Sequence, residues 1–212
     1  MAQHQTELRE KTQQLLEGPL KHVRAAALAA ALLPLASIAA TPAVAQDGGS
    51  GGAPPTAVVP SPCDFVTSGG FVITDAGAKA SFGAHGGCKN GEFWGQLNFV
   101  DHATGYHINS YETTGYLTPE NGSNIREICG LATTNAAEGP VWFRVKLVDN
   151  GEPGSADEFG LRLSNGYSVS MRLLSAARPG GGNVQLHKPN PSTTGPEFPP
   201  DEFTMCGGVP TP

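Results

Sequence analysis

Four groups of residues in this chain have the types and spacing that chemistry uses. Asp149-Asn150-Gly151-Glu152, with Asp157 and Glu158, places oxygen ligands on a glycine-rich loop, the donor set that calcium takes. The spacing departs from an EF-hand loop, which wants acids or amides at alternate positions and glycine at the sixth. The structural reading of the same residues is a wide turn. Asp and Asn bond to their own backbone there, Gly supplies unusual φ, and Pro153 stiffens the loop. The second group is Asp101, His102 and His107, with His85 and His187, a donor set for zinc. His102 and His107 flank one expected hairpin turn, yet a five-residue step across a turn does not fix them on one face. Their other reading is turn formation by Asp101 and His102, with the remaining rings solvated or hydrogen-bonded.

The third group would serve hydrolysis. A Ser-His-acid relay needs a serine on a strained turn, and no G-x-S-x-G is present. Asp101 and His102 are adjacent, so on a strand they point to opposite faces and make a poor relay. Glu92, Glu112 and Glu127 are candidate carboxylates for glycoside cleavage, but no pattern selects a pair. The fourth group is aromatic: Trp94, Tyr106, Tyr111, Tyr116, Trp142 and Tyr167. Such rings stack on sugars or peptides, or else fill a small β core. Trp94 and Trp142 fall opposite the more apolar stripe of their strands and are the expected exposed binding residues. Gly180-Gly181-Gly182-Asn183 lacks the Lys-Ser/Thr and the helix of a phosphate loop, and reads as the entry to a last strand over 183–188. Asn121-Gly122-Ser123 fits the glycosylation acceptor pattern.

The elements that must carry these residues are strands. Among 212 residues, 28 are Gly and 18 are Pro, and only 15% are charged. Typical usage is roughly 7% Gly, 5% Pro and 25% charged. That composition excludes a coiled coil, and Gly without a three-residue period excludes collagen. The net charge of −6 offers no basic excess to neutralise phosphates, so nucleic acid is not an expected partner. Val141, Phe143, Val145 and Leu147 alternate with Trp142, Arg144, Lys146 and Val148. The runs beginning at Phe93, Phe159 and Tyr167 alternate in the same way. A period of two places each set on one side of a core. Asn90-Gly91 and Asn165-Gly166 supply the φ > 0 pairs of tight hairpins. The expected fold is all-β: an antiparallel β-sandwich of about eight or nine strands, with a β-barrel as the second architecture.

At the N-terminus, Ala25 to Ala40 is an apolar run preceded by Lys21, His22 and Arg24 and followed by Ala43-Val44-Ala45. These are the three parts of a secretory signal peptide, with cleavage expected after Ala45 and no membrane insertion afterwards. The run is too short for a spanning helix. The polar stretch before it adds nothing that export needs, and translation from Leu20 or Val23 is the expectation. Residues 46–62 read as a Gly/Pro-rich linker, 63–188 as the β domain and 189–212 as a Pro-rich tail. The four cysteines, Cys63, Cys88, Cys129 and Cys206, form no C-x-x-C, and export favours two disulfides. Position along the chain favours Cys88–Cys129 within the domain and Cys63–Cys206 from its entry to the tail.

The segments CDFVTSGGFVITDAGAKASFG, GEFWGQLNFVDHATGYHINS, VDNGEPGSADEFGLRLSNGY and GGGNVQLHKPN together resemble the post-COAP domain family, from about Cys63 to Asn190. DNGEPG, LSNGY and GGGN-aliphatic-Q carry the resemblance. It implies an all-β exported bacterial module with no assigned catalytic residue. The expectation is therefore a secreted or cell-surface, non-enzymatic module with a structural, adhesive or ligand-binding role. It would use no cofactor, and a glycan or envelope protein would be its partner. The other reading is a calcium- or zinc-dependent binding module or hydrolase, built from the loops around Asp101–His107 and Asp149–Asp157. Convergence of those loops at one end of the domain would favour it.

Overall fold

A computed structural model describes residues 56–136, 139–174 and 181–212. The signal segment, its cleavage point, most of the linker and Gly180 lie outside these residues. Nine strands follow in order: β1 (Phe65–Ile73), β2 (Lys79–Lys89), β3 (Glu92–Asp101), β4 (Tyr106–Leu117), β5 (Ile125–Thr134), β6 (Val141–Val148), β7 (Glu158–Leu163), β8 (Ser168–Leu173) and β9 (Gly182–His187). One short helix, α1 (Glu202–Cys206), comes last. The fold is all-β and antiparallel. The strands form one continuous sheet ordered β8-β7-β6-β5-β4-β3-β2-β1-β9, a meander whose last strand returns to pair with the first. The sheet curls until β2 faces β7, where Phe82 and Phe159 stack at 4.0 Å.

The period of two sets the two faces. Val66, Phe82, Ala84, Leu97, Phe99, Ile108, Ile128, Phe143, Val145, Leu147 and Leu161 point inward and form one buried cluster. Their neighbours point outward. The Asn90-Gly91 turn behaves as its sequence dictates, with φ of 53° and 87°. At Asn165-Gly166 only the glycine takes positive φ, 93°, and the β7–β8 register shifts between Phe159 and Leu161.

The curl leaves β8 and β9 as edges, and aspartates serve the seam. Asp75, in the β1–β2 turn, accepts from the Ser170 amide at 3.0 Å and pairs with Arg172. On β9, the amides that face away from β1 are taken by side chains of the β6–β7 loop. Val184 donates to Asp157 Oδ2 and Leu186 to Asp149 Oδ2, each at 2.7 Å. Three carboxylates thus satisfy edge amides that a further strand would otherwise bind.

The cysteine pairing differs from the expectation. The disulfides are Cys63–Cys88 and Cys129–Cys206, not Cys88–Cys129 and Cys63–Cys206. The sheet itself decides this. Cys88 lies on the inner face of β2, and Cys129 pairs with Gly115 and Arg144 on the outer face of β5. Side chains on opposite faces cannot bridge. Phe65 pairs with Gly87 and the Cys88 amide donates to the Asp64 carbonyl, which brings Cys63, one residue further out, within bridging distance of Cys88.

The domain limits also differ. Residues 189–212 are not a free tail, and the end of the linker is not free either. Ser192 and Thr194 accept from the Asn90 and Gly91 amides, each at 2.9 Å. Asp201 then caps α1 by accepting from the Thr204 amide at 2.9 Å, and Gly207 ends it in the left-handed region at φ 57°. Val58 bridges Thr118, and the Ala57 amide donates to Glu202. Prolines in this strap remove amides that would need partners, which suits a chain held by side chains and a disulfide.

Candidate binding face

The outer surface of the sheet divides in two. Over β4, β5 and β6 it is covered by α1 and the residues after it. Leu117, Cys129, Met205 and Cys206 make a second buried cluster there. Arg144 lies beneath, its side chain only 4% exposed, in an ion pair with Glu127. It reaches Glu202 at 2.7 Å and donates to the Val209 carbonyl at 3.2 Å. Gly207 lies so close to the Trp142 indole that a Cβ there would come within 2.1 Å of the ring. Glu127, considered above as a glycosidase acid, is therefore committed to Arg144. Trp142 is not an open ring but a half-buried one beneath the strap.

Over β9, β1, β2 and β3 the outer surface carries side chains in rows that register across the strands. The first row is His187, Phe65, Gly87 and Trp94. His187 stacks on Phe65 at 4.2 Å, and Phe65 meets Trp94 at 6.1 Å across Gly87. Glycine is required at 87, because a Cβ there would lie 2.4 Å from that of Phe65. The second row is Gln185, Thr67, His85 and Gln96, with His85 5.6 Å from Trp94. Thr67 Oγ1 bonds His187 Nε2 at 2.8 Å and ties the two rows together. The third row is Asn183, Gly69, Gly83, Asn98 and Asn109. Gln185, Gln96, Asn98 and Asn109 are exposed. Gly83 has no positive φ, and a Cβ there would meet nothing within 4 Å. A strand glycine that neither packing nor backbone demands marks a place where the surface is kept low.

Trp94 is thus half-buried by Phe65 and His85 but lies in an open polar-aromatic surface. Tyr111, at 56% exposure, is the more exposed ring. The chemistry of the open face is stacking plus amide hydrogen bonding. Of its other members, His187 and His85 were weighed only as zinc donors, and Phe65, Gln96 and Gln185 were not singled out from sequence. The signal was the alternation in EFWGQLNFVD, where Trp94, Gln96 and Asn98 share one face opposite Leu97 and Phe99.

The expected metal groups are placed separately. Asp149 Oδ1 accepts from the Gly151 amide at 2.9 Å and Asp157 Oδ1 from the Asn150 amide at 2.8 Å, while their second oxygens hold β9. Asn150 Nδ2 donates to the Ala156 carbonyl, and Glu152 accepts from Asn183. The loop is a closed turn along its whole length. His102 bonds Ser81, His107 contacts Asn98 at 3.3 Å, and Asp101 is buried and accepts from Tyr167 Oη. Burial and the Asp101 carboxylate push the Tyr167 phenol well above its usual value. Turns alternate ends in a meander, so the β3–β4 and β6–β7 turns lie at opposite ends and form no joint site. Among the described residues, no three His, Cys, Asp or Glu side chains are grouped to hold a metal ion.

A second polar network closes the end of the core. Asp64 pairs with Arg126 through Nε at 3.0 Å and Nη2 at 2.5 Å, and accepts from Tyr116 Oη at 2.7 Å. Burial first, and then Asp64, raises the Tyr116 phenol far above its ordinary value. The two disulfides are consistent with an oxidising compartment. Comparison with protein families, curated proteins and solved structures found no match to this chain.

Proposed function

We propose that this chain is a secreted, non-enzymatic β module that binds a glycan on the open outer face of β9, β1, β2 and β3. The observation that carries the reading is the row His187–Phe65–Trp94 beside the exposed amides of Gln185, Gln96, Asn98 and Asn109. Sugars present apolar C–H faces and a ring of hydroxyls, which match aromatic stacking and amide hydrogen bonds respectively. The covered half of the same surface supports the reading by contrast, since the chain leaves uncovered the side with amides and an indole. The signal-like N-terminus and the motif resemblance to post-COAP modules support export to the cell surface or medium, without cofactor or catalytic residue.

The test is affinity electrophoresis of the protein, lacking its signal, through gels containing hydroxyethylcellulose, xylan, laminarin or glycol chitin. The proposal expects retardation by at least one polymer and its loss in Trp94→Ala. Unchanged retardation in Trp94→Ala, or none with any polymer, would refute it.

A further inference from the structure

Near the start of β3 the sheet opens. Asn98 to Asp101 pair with β4, but the Leu97 amide donates instead to Ser110 Oγ at 2.7 Å. Beyond that point β4 carries two irregularities, between Ser110 and Glu112 and between Thr113 and Gly115, and follows β5 rather than β3. The opening is a cleft of about 480 Å³ whose walls include Glu92, Phe93, Glu112, Thr113, Trp142 and Met205. That volume lies within the range of small-molecule sites.

Its walls specify a ligand. Phe93, Trp142 and Met205 supply apolar surface, and an indole is the best aromatic partner for a cation. Glu92 and Glu112 are both exposed, and neither takes part in an ion pair among the described residues. Thr113 Oγ1 is buried without a hydrogen-bond partner, whereas buried hydroxyls are ordinarily satisfied. The carboxylates and the indole favour a cation, and among the described residues the cleft lining carries no basic side chain that would favour an anion. We propose that this cleft is a second binding site, for a primary alkylammonium group on an apolar stem. It uses none of the residues of the Trp94 face and stands independently of the glycan reading.

The experiment uses the full exported chain with Trp94→Phe, so that Trp142 is the only tryptophan. Its fluorescence is followed at low salt against n-hexylammonium chloride, n-hexanol and sodium hexanoate. A lysine side chain carries the same group, and Nα-acetyl-lysine methylamide forms a fourth arm that separates a free amine from a peptide source. The expected result is saturable binding of an ammonium at least ten-fold tighter than hexanol, with hexanoate weaker still. The Glu92→Gln/Glu112→Gln double variant should lose that preference while keeping its melting temperature, because both side chains are exposed and unpaired. Equal binding of hexanol, no saturable signal from either ammonium, or a preference that survives the double variant would overturn the proposal.

Discussion

Trp94 and Trp142 occupy outward positions on β3 and β6 of one sheet, yet the chain treats them in opposite ways. Over Trp142 it lays α1 and Gly207, anchored by Cys129–Cys206 and by Arg144 held between Glu127 and Glu202. Beside Trp94 it leaves exposed amides and a glycine with open space above it. The difference teaches that an outward aromatic is not in itself a binding residue. Trp142 helps to fasten a second small core to the outside of the barrel-like sheet, whereas Trp94 belongs to a surface that the fold does not consume. The disulfide and the buried pair belong to the first half, and the candidate glycan chemistry belongs to the second.

The sharpest way to break this contrast is to release the strap. Replacing Cys129 and Cys206 by Ala removes a cross-link spanning 77 residues. Chain-entropy reasoning gives about 4–5 kcal/mol of lost stability for a loop of that order. Denaturant unfolding should show the loss, with glycan retardation unchanged wherever the variant remains folded. Arg144→Met strands the buried Glu127 carboxylate and should cost about 3–5 kcal/mol by the same measurement. Trp94→Ala reverses the pattern. Binding should weaken about 30-fold, the scale of a 2 kcal/mol hot spot, while stability changes by about 1 kcal/mol or less.

The seam gives a smaller effect, and its sign follows from Asp75. The backbone hydrogen bond from Ser170 and the Arg172 guanidinium hold its carboxyl below the usual carboxylate range. A depressed acid contributes stability above its unfolded value and loses it as pH falls through the folded one. Wild type should therefore lose stability below about pH 4, and Asp75→Asn should flatten that part of the profile. Because Asp75 is 43% exposed, the difference should stay under about 1 kcal/mol. Smallest of all, Gly83→Ala should stabilise the fold by about 0.5 kcal/mol, since a strand glycine sacrifices chain entropy and this one has room for a methyl. A destabilised Gly83→Ala would show that the open face is packed in a way the rows do not account for.

Much of the fold was legible in the sequence because alternation is a local property. VWFRVKLV specifies which side chains enter the core, and Asn90-Gly91 specifies its turn. What pairs with what across the sheet is not local. Cys63 meets Cys88 because the β1–β2 register sets Asp64 opposite Cys88 and leaves Cys63 one residue away, and Cys129 is out of reach of Cys88 because one-residue parity sends them to opposite faces. The strap was read as a tail for a similar reason. Its Pro-rich composition resembles a linker, and only the partners supplied by the β2–β3 turn and by β4, β5 and β6 give it structure. The acidic loop at 149–157 was legible as a turn. Its service to the β9 edge was not, because it depends on where a distant strand returns. Of the open face, the sequence shows the polar side of β3. The rows from β9 and β1 come into view only when the meander closes.

The central claim is that glycan binds the uncovered half of the outer surface and that the strapped half takes no part in that binding. It is tested most directly by measuring polysaccharide retardation and denaturant unfolding for Trp94→Ala and Trp142→Ala in parallel. The account expects Trp94→Ala to lose retardation and keep stability. Trp142→Ala should lose about 2 kcal/mol or more, from an aromatic ring packed under Gly207, and keep retardation while folded. Retardation that depends on Trp142 and not on Trp94 would contradict the claim and move the binding surface to the strapped side of the sheet.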